Sequence, residues 1–412
     1  MALTKIITDN IDLSSDTTAL KIPKGTTAER PAGTTGMIRE NTDTGNVEVY
    51  NGSAWRALQQ TGQDTGVVGI NNFNSILYTG DSSNQIITGF NFKPDLIWIK
   101  RRSSPAEDSA IYDTVRGPNE QLSSDSNAKQ VTNTAPNEGV KSFNNNGFTT
   151  GDNGGTNRSP YDYVSWGWKA GGNSNTFNID SVGYATAVAA GMNIGTIIPT
   201  GGSVNTEAGF SIVQYTGNGS ASQTYAHGLS NKPALIITKK TSGAQNWTVW
   251  HEDLTSDNYF LYLNTNAAEG DGVATAFNSG ISTSLVGIGN SGLVNDSGQD
   301  YISYSWTSIP GYSLIGSYEG SGLATDTPKI YTGFLPAWLM VKRTDSAGDW
   351  NIVDNKRSPS NPRTIQLAAN SSAAESAPGS LVDFNSDGFQ IITTDTGWNA
   401  ENGDYIFMCF AS

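Results

Sequence analysis

Three segments of this chain carry the same punctuation at the same spacing, and self-similarity of that kind outranks any local propensity in deciding a fold. Tyr78-Thr-Gly80, Tyr215-Thr-Gly217 and Tyr318-Glu-Gly320 open them. Each opening is followed by a proline that leads an apolar run ending in lysine. The three runs are Pro94-Asp-Leu-Ile-Trp-Ile-Lys100, Pro233-Ala-Leu-Ile-Ile-Thr-Lys239 and Pro336-Ala-Trp-Leu-Met-Val-Lys342. Each segment closes on Asp-Tyr and an alternating run, at Asp162-Tyr163, Asp300-Tyr301 and Asp404-Tyr405. Pro94 to Tyr163, Pro233 to Tyr301 and Pro336 to Tyr405 span 69, 68 and 69 residues. The spacing predicts three like units at 70–172, 208–310 and 311–412.

Within a unit the period is that of strands. The apolar run after Pro-X fits a strand buried on both faces. In the closing run, Val164, Trp166 and Trp168 align with Ile302, Tyr304 and Trp306, and with Ile406, Met408 and Phe410. Ser165, Gly167, Ser303 and Ser305 fall between them, so the large side chains share one face of a sheet. Asn146-Gly147 and Asp387-Gly388 are hairpin signals. No long helical period occurs, and the Ala-rich pieces 184–192 and 368–377 allow no more than a turn or two. The expected fold is all-β: a small amino-terminal hairpin region, then three tandem β-sandwich units of jelly-roll type. Residues 173–207 form a spacer without counterpart between the second and third units. It either lies along a neighbour or adds a strand to one.

Residues 1–62 differ from the rest. Two short alternating runs, 37–41 and 46–50, flank Asp43-Thr-Gly45, and Asn51-Gly52 turns into Trp55. A hairpin or small meander of this size cannot enclose a core alone and needs a partner, either copies of itself or a docking surface. Residues 63–69 read as a linker. The run Gly25-Thr-Thr-Ala-Glu-Arg-Pro31, Gly36-Met-Ile-Arg-Glu-Asn-Thr-Asp-Thr-Gly45 and Tyr50-Asn-Gly-Ser-Ala-Trp55 resembles a segment recurrent in bacteriophage tail-fibre and other virion proteins. The three units resemble a repeat found in tail or fibre proteins of phages of marine bacteria and cyanobacteria. Val182-Gly-Tyr-Ala-Thr-Ala, Gly209-Phe-Ser-Ile-Val-Gln-Tyr-Thr-Gly217 and Tyr331-Thr-Gly-Phe-Leu-Pro-Ala-Trp338 carry that likeness. The resemblance implies a virion component and carries over no catalytic residue.

Charge and composition narrow the partners. Asp plus Glu number 38 against 24 Lys plus Arg, a net charge of −14, so a polyanion is repelled and nucleic acid is not an expected partner. No apolar run approaches the roughly 18 residues that span a bilayer, so membrane insertion is not expected. A single cysteine excludes an internal disulfide or a cysteine-based metal cluster.

Catalytic chemistry finds little to work with. Of the two histidines, His227 occupies a turn, and His251 aligns with Asp113 and Asp354. Asp113 with Arg116, and Asp354 with Arg357, share an i, i+3 spacing that suits a structural ion pair or an anion contact. Asp383-Phe-Asn-Ser-Asp-Gly388 opens like a calcium loop, but Thr394 stands where a glutamate is required, so a hairpin is expected. Gly287-Ile-Gly-Asn-Ser-Gly292 has no helix after it to cradle a phosphate. Cys409, aligned with Gly167 and Ser305, reads as a packed thiol. Glu252 and Asp253 are adjacent and on a strand would face opposite ways, a poor start for a paired-carboxylate site. No enzyme activity, cofactor or metal is expected.

Polar loops at one end of a rigid sandwich are where binding sites tend to lie. The loop before the last closing run supplies Trp398, Asn399 and Asn402 as candidate glycan or receptor contacts. Its counterpart in the first unit supplies Asn153, Arg158 and Tyr161. The expected function is attachment: a tail fibre or fibre-like appendage in the virion, bound to other virion proteins through residues 1–62, oligomeric and by resemblance trimeric, touching a host cell-surface glycan or protein by several weak contacts. A capsid decoration or head fibre without a receptor is the alternative, and a polysaccharide depolymerase a more distant one.

Overall fold

The computed structural model describes residues 22–42, 46–50, 55–57, 67, 69–135, 137–172, 175–271, 275–278 and 280–412. The turns expected at 43–45 and 51–52, and most of the linker, lie outside the described residues. The fold is all-β, with one short helix and two 3-10 turns beside the strands among the described residues. Two compact units divide the chain, 1–60 and 61–412.

The amino-terminal unit is a four-stranded sheet in chain order: Lys24–Gly25, Ile38–Asn41, Asn46–Tyr50 and Trp55–Ala57. Its burial runs opposite to that of an ordinary sheet. Arg39, Asn41 and Glu48 are buried, while Met37 and Ile38 are exposed. Glu48 accepts from Arg30 and Asn41 and pairs with Arg39 at 3.4 Å, and the Arg30 bond holds its carboxyl below the usual range.

In the larger unit the three repeats have one topology. An opening strand (Phe73–Thr79, Phe210–Thr216 or Ser313–Glu319) lies antiparallel to the closing strand (Asp162–Trp168, Asp300–Trp306 or Asp404–Phe410). The closing strand in turn pairs with the proline-led strand: Leu96–Arg101, Leu235–Lys240 or Trp338–Arg343. A fourth strand follows at Ala110–Asp113, Thr248–His251 or Trp350–Asp354. Register is conserved between repeats: Trp166 opposes Trp98, Tyr304 opposes Ile237, and Met408 opposes Met340. A smaller sheet covers one face, built in the first repeat from Val140–Asn144, Gly147–Thr150 and Gln85–Thr88. Asp383-Phe-Asn-Ser-Asp-Gly388 is the hairpin of the third small sheet, between Val382–Asn385 and Gly388–Ile391.

Alternation assigns the two faces of each large sheet to two different cores. Ile97, Ile99, Tyr163 and Phe148 pack beneath the small sheet of the first repeat alone. Trp98, Val164, Trp166 and Trp168 face the other way. They join Ile237, Tyr304 and Trp306 of the second repeat, and Trp338, Met340, Met408 and Phe410 of the third, in one shared cluster. The tryptophan-rich face of the closing strands is therefore where the repeats meet. At 150–250 Å² of buried area per aromatic side chain, this is the largest apolar payload in the unit.

The segment between the first and second repeats adds strands. Gly201–Asn205 pairs antiparallel with the opening strand Phe210–Thr216, Phe177–Ile179 runs parallel to it, and Val182–Tyr184 forms the edge. Among the described residues the second repeat's large sheet thus reaches nine strands. Phe177, Met192, Ile197 and Val204 of this insert enter that repeat's own core.

Candidate functional site

The loops that precede the closing strands follow a pattern seven residues long. Asn157-Arg-Ser-Pro-Tyr-Asp-Tyr163, Asn295-Asp-Ser-Gly-Gln-Asp-Tyr301 and Asn399-Ala-Glu-Asn-Gly-Asp-Tyr405 each begin on a fully buried asparagine. The Asn399 Oδ1 accepts from the backbone N–H groups of Ser321 and Gly322, and its Nδ2 donates to the Leu323 and Thr393 carbonyls. Asn157 and Asn295 clamp the equivalent segments after their own opening strands. The tyrosine ending each motif donates back into the loop, to Gly154, Gly292 or Thr396, and stacks on Tyr78, Tyr215 or Tyr318. Each of those opening-strand tyrosines donates in turn to a loop carbonyl.

This framework corrects two of the expected contacts. Trp398 and Asn399 are 0% exposed, so neither can meet a ligand. Asp395 caps a short helix, Thr396–Asn399, by accepting from the Gly397 N–H at 2.7 Å, and the helix turns the Trp398 ring inward. There the indole N–H donates to Gln366. Asn402 is exposed, with φ of 53°, and its backbone N–H bonds to Gly320. In the first repeat, Arg158 is exposed 3.5 Å from Asp152, and Asn153 shapes its own turn through Gly155. Tyr161 lies half-buried under the Arg101 guanidinium. No hydrogen bond or ring contact among the described residues links the loop of the first repeat to that of the third.

Polar groups gather instead at the three seams between repeats. At the first, Asp113 Oδ2 receives Arg116 Nε at 2.5 Å and the Tyr304 hydroxyl of the second repeat at 2.7 Å. At the seam of the third repeat with the first, Asp354 Oδ2 receives Arg357 Nε at 2.6 Å and the Trp166 indole N–H at 3.2 Å. The remaining seam has the same geometry without charge. His251 stands at the carboxylate position, Leu254 at the arginine position, and Met408 where Tyr304 and Trp166 stand elsewhere. His251 Nδ1 accepts the Asp253 N–H at 3.0 Å, as Asp113 and Asp354 accept from their own turns. That bond leaves the proton on Nε2, which lies near the Phe407 backbone but outside hydrogen-bond geometry. Burial lowers the His251 pKa to about 4.

The lysines that end the proline-led strands also serve the seams. Lys100 donates to the Ser371 carbonyl, Lys239 to Asn127 and Lys342 to Asn266, each in a neighbouring repeat. Beside them run backbone bonds from Gln130 to Thr241, Glu269 to Thr344 and Glu375 to Arg102. The first repeat thus docks on the second, the second on the third and the third on the first, a heterologous contact that closes. Burial lowers the Lys239 pKa to about 7, helped by Lys240 and Arg116, and the Lys342 pKa to about 8.

Cys409 is buried, and burial holds its thiol well above the usual range. Among the described residues no three His, Cys, Asp or Glu side chains are placed to hold a metal ion, and no helix is long and apolar enough to cross a membrane. His227 is buried, its pKa lowered by burial to about 4, and its Nδ1 accepts from Leu229.

Fold and seams together define a class: an all-β protein whose three sandwiches dock cyclically within one chain. Residues 69–412, the whole of the three-repeat region, match the family described as domain of unknown function DUF7483, and the chain belongs to that family. No curated protein and no solved structure matches it.

Proposed function

We propose that the chain is a phage virion structural protein, a tail fibre or fibre-like appendage that attaches the particle to a host surface. The observation that carries the reading is the contrast between the two units. The small sheet buries Arg39, Asn41 and Glu48 and exposes Met37 and Ile38, around a groove lined by Pro23, Pro31, Met37, Ile38 and Trp55 together with Lys24, Glu29 and Arg39. A surface of that kind suits a second protein, here another virion component or further copies of the chain. The large unit spends its buried aromatic and ionic groups on fusing three repeats. It leaves their loops to solvent as a rigid multivalent head. The resemblance of residues 25–55 to a virion segment points the same way.

Immunogold labelling of intact particles, with antibody raised against residues 311–412, tests this. Gold on tail-proximal filaments is the expected result. Gold spread over the capsid sinks the tail-fibre reading and favours a decoration protein.

A further inference from the structure

The three repeats close a near-symmetrical ring, and the insert between the first and second is the main departure from that symmetry. A polar cleft of about 470 Å³ lies against it, within the usual size range of ligand sites. Its walls come from three places. Asn71 and Asn72 precede the opening strand of the first repeat, Lys169 follows that repeat's closing strand, and Asp180, Ser181 and 205–207 belong to the insert. A second hollow continues it past Asn91, Lys93 and Asn145, sharing Asn71, Lys169 and Ser181 with the first.

The cleft is held in shape from below. Asp95, fully buried, accepts from the Thr114 hydroxyl, the Ala170 and Gly172 N–H groups and the insert's Ser203 hydroxyl. Asn205 ties to Asn72 at 3.0 Å, and Asp180 receives both the N–H and the hydroxyl of Thr206. Asn91, Asp180 and Ser181 occupy the left-handed region, three of the six non-glycine residues that do so among the described residues. Asp180 and Ser181 are the two central residues of the hairpin turn between Phe177–Ile179 and Val182–Tyr184, and the Asn91 N–H is held by Asn146 Oδ1, so ordinary turns set the rim of the cleft.

What the lining leaves unspent defines the ligand. Asn71 and Asn145 are exposed, the Lys169 ammonium forms no ion pair among the described residues, and the Glu207 carboxylate is exposed. Amides, two ammonium groups (Lys93, Lys169) and two carboxylates (Asp180, Glu207) around a polar hollow suit neither an apolar ligand nor a polyanion. They match a ligand with many hydroxyls, which can accept from Lys169 and the amides and donate to Glu207.

We infer that this cleft binds a neutral saccharide segment of one or two sugar rings. The inference deepens the attachment reading and rests on it for the biological ligand, a glycan of the host envelope. The test uses the full chain on an array of neutral oligosaccharides of glucose, galactose and N-acetylglucosamine, with the best binder titrated by calorimetry. Lys169→Ala is expected to weaken binding about tenfold or more, and Asn71→Ala by several-fold, with the thermal midpoint unchanged. Arg158→Ala, in the solvent loop of the first repeat, is expected to bind as the unaltered chain does. No binder on the array, or full binding by Lys169→Ala, overturns the inference. Adhesion of labelled full chain to host cells reads the other claim separately. Adhesion undiminished by Lys169→Ala rejects the cleft and leaves attachment standing. Absence of adhesion, with array binding lost in Lys169→Ala, rejects attachment and leaves the cleft.

Discussion

His251 has no charged partner across its seam because nothing there calls for one. Where the facing residue is a donor, Tyr304 or Trp166, the seam position is aspartate and an arginine follows three residues on. Where the facing residue is Met408, which has no proton to give, the position is histidine and Leu254 follows. The three side chains change as a set, since a buried anion without its cation and donor is costly. Asp113→His alone strands Arg116 and is expected to cost about 3–5 kcal/mol. Adding Arg116→Leu and Tyr304→Met to it rebuilds the uncharged seam and is expected to recover most of that loss. Urea denaturation of the single and triple variants checks this, and equal losses in both would refute the set. The i, i+3 Asp–Arg pairs were legible in the sequence, with a structural ion pair and an anion contact both open to them. Their partners across the seam were not, because Tyr304 and Trp166 lie some 190 residues away and no local spacing links them.

Burial of basic groups also fixes how stability follows pH. The Lys239 and Lys342 pKa values stand at about 7 and 8 in the folded chain, against the ordinary 10.5. Between those values and 10.5 the unfolded chain therefore binds more protons, and stability rises with pH. The slope is at most about 1.4 kcal/mol per pH unit for each lysine. His227 and His251, lowered to about 4 from 6.5, act in the same sense, so stability falls as pH drops from 6.5 towards 4. Burial raises Tyr78, Tyr215 and Tyr318 well above 10, which reverses the trend once unfolded tyrosine ionises. The thermal midpoint is expected to climb from pH 5 to about 9 and to fall above 10. A midpoint highest near pH 6 would contradict this account.

At the scale of the element, the closing strand was the best-read feature and the loop before it the worst. Alternation in Val164, Trp166 and Trp168 placed the large residues on one face, and they do share it. That this face meets two other repeats was beyond a period-2 pattern, which gives a face but not its occupant. The segment 395–403 read as a polar loop because its helix is four residues long and holds a glycine, while one cap bond from Asp395 turns Trp398 inward. The signal that was available is the asparagine six residues before each closing tyrosine. Removing it leaves several backbone groups of the opening-strand loop unsatisfied. Asn295→Ala is expected to cost about 1–3 kcal/mol, and Asn295→Asp, which keeps the acceptor but not the donor, somewhat less. Hydrogen exchange at the 218 and 219 amides, whose N–H groups donate to Asn295 Oδ1, should quicken in Asn295→Ala. Unchanged exchange there would remove the clamp from the account. The insert read only as a spacer or an added strand, the second of which it is, for a related reason. Phe177–Ile179 and Val182–Tyr184 are three residues each, too short to show a period, and their order comes from pairing with Gly201–Asn205 and the opening strand of the second repeat.

For the molecule as a whole, the question is whether three tandem sandwiches behave as three domains or as one. Tandem domains joined by linkers bury their apolar faces separately and unfold separately. Here each repeat keeps a private core under its small sheet but turns its widest aromatic face to its neighbours. Trp168 shows the consequence in a single side chain. Its ring centroid lies 6.2 Å from Trp306 of the second repeat, and 5.7 Å from Trp338 and 5.9 Å from Phe410 of the third. A repeat released from the ring would expose that face to water, so its private core does not stand for its stability. Residues 61–412 are therefore expected to unfold in one calorimetric transition, with calorimetric and van't Hoff enthalpies in agreement. Trp168→Ala removes packing from all three repeats at once. It is expected to lower that single transition by about 3–5 kcal/mol without splitting it. If the repeats were independent, the same substitution would lower one of several transitions and leave the others where they were.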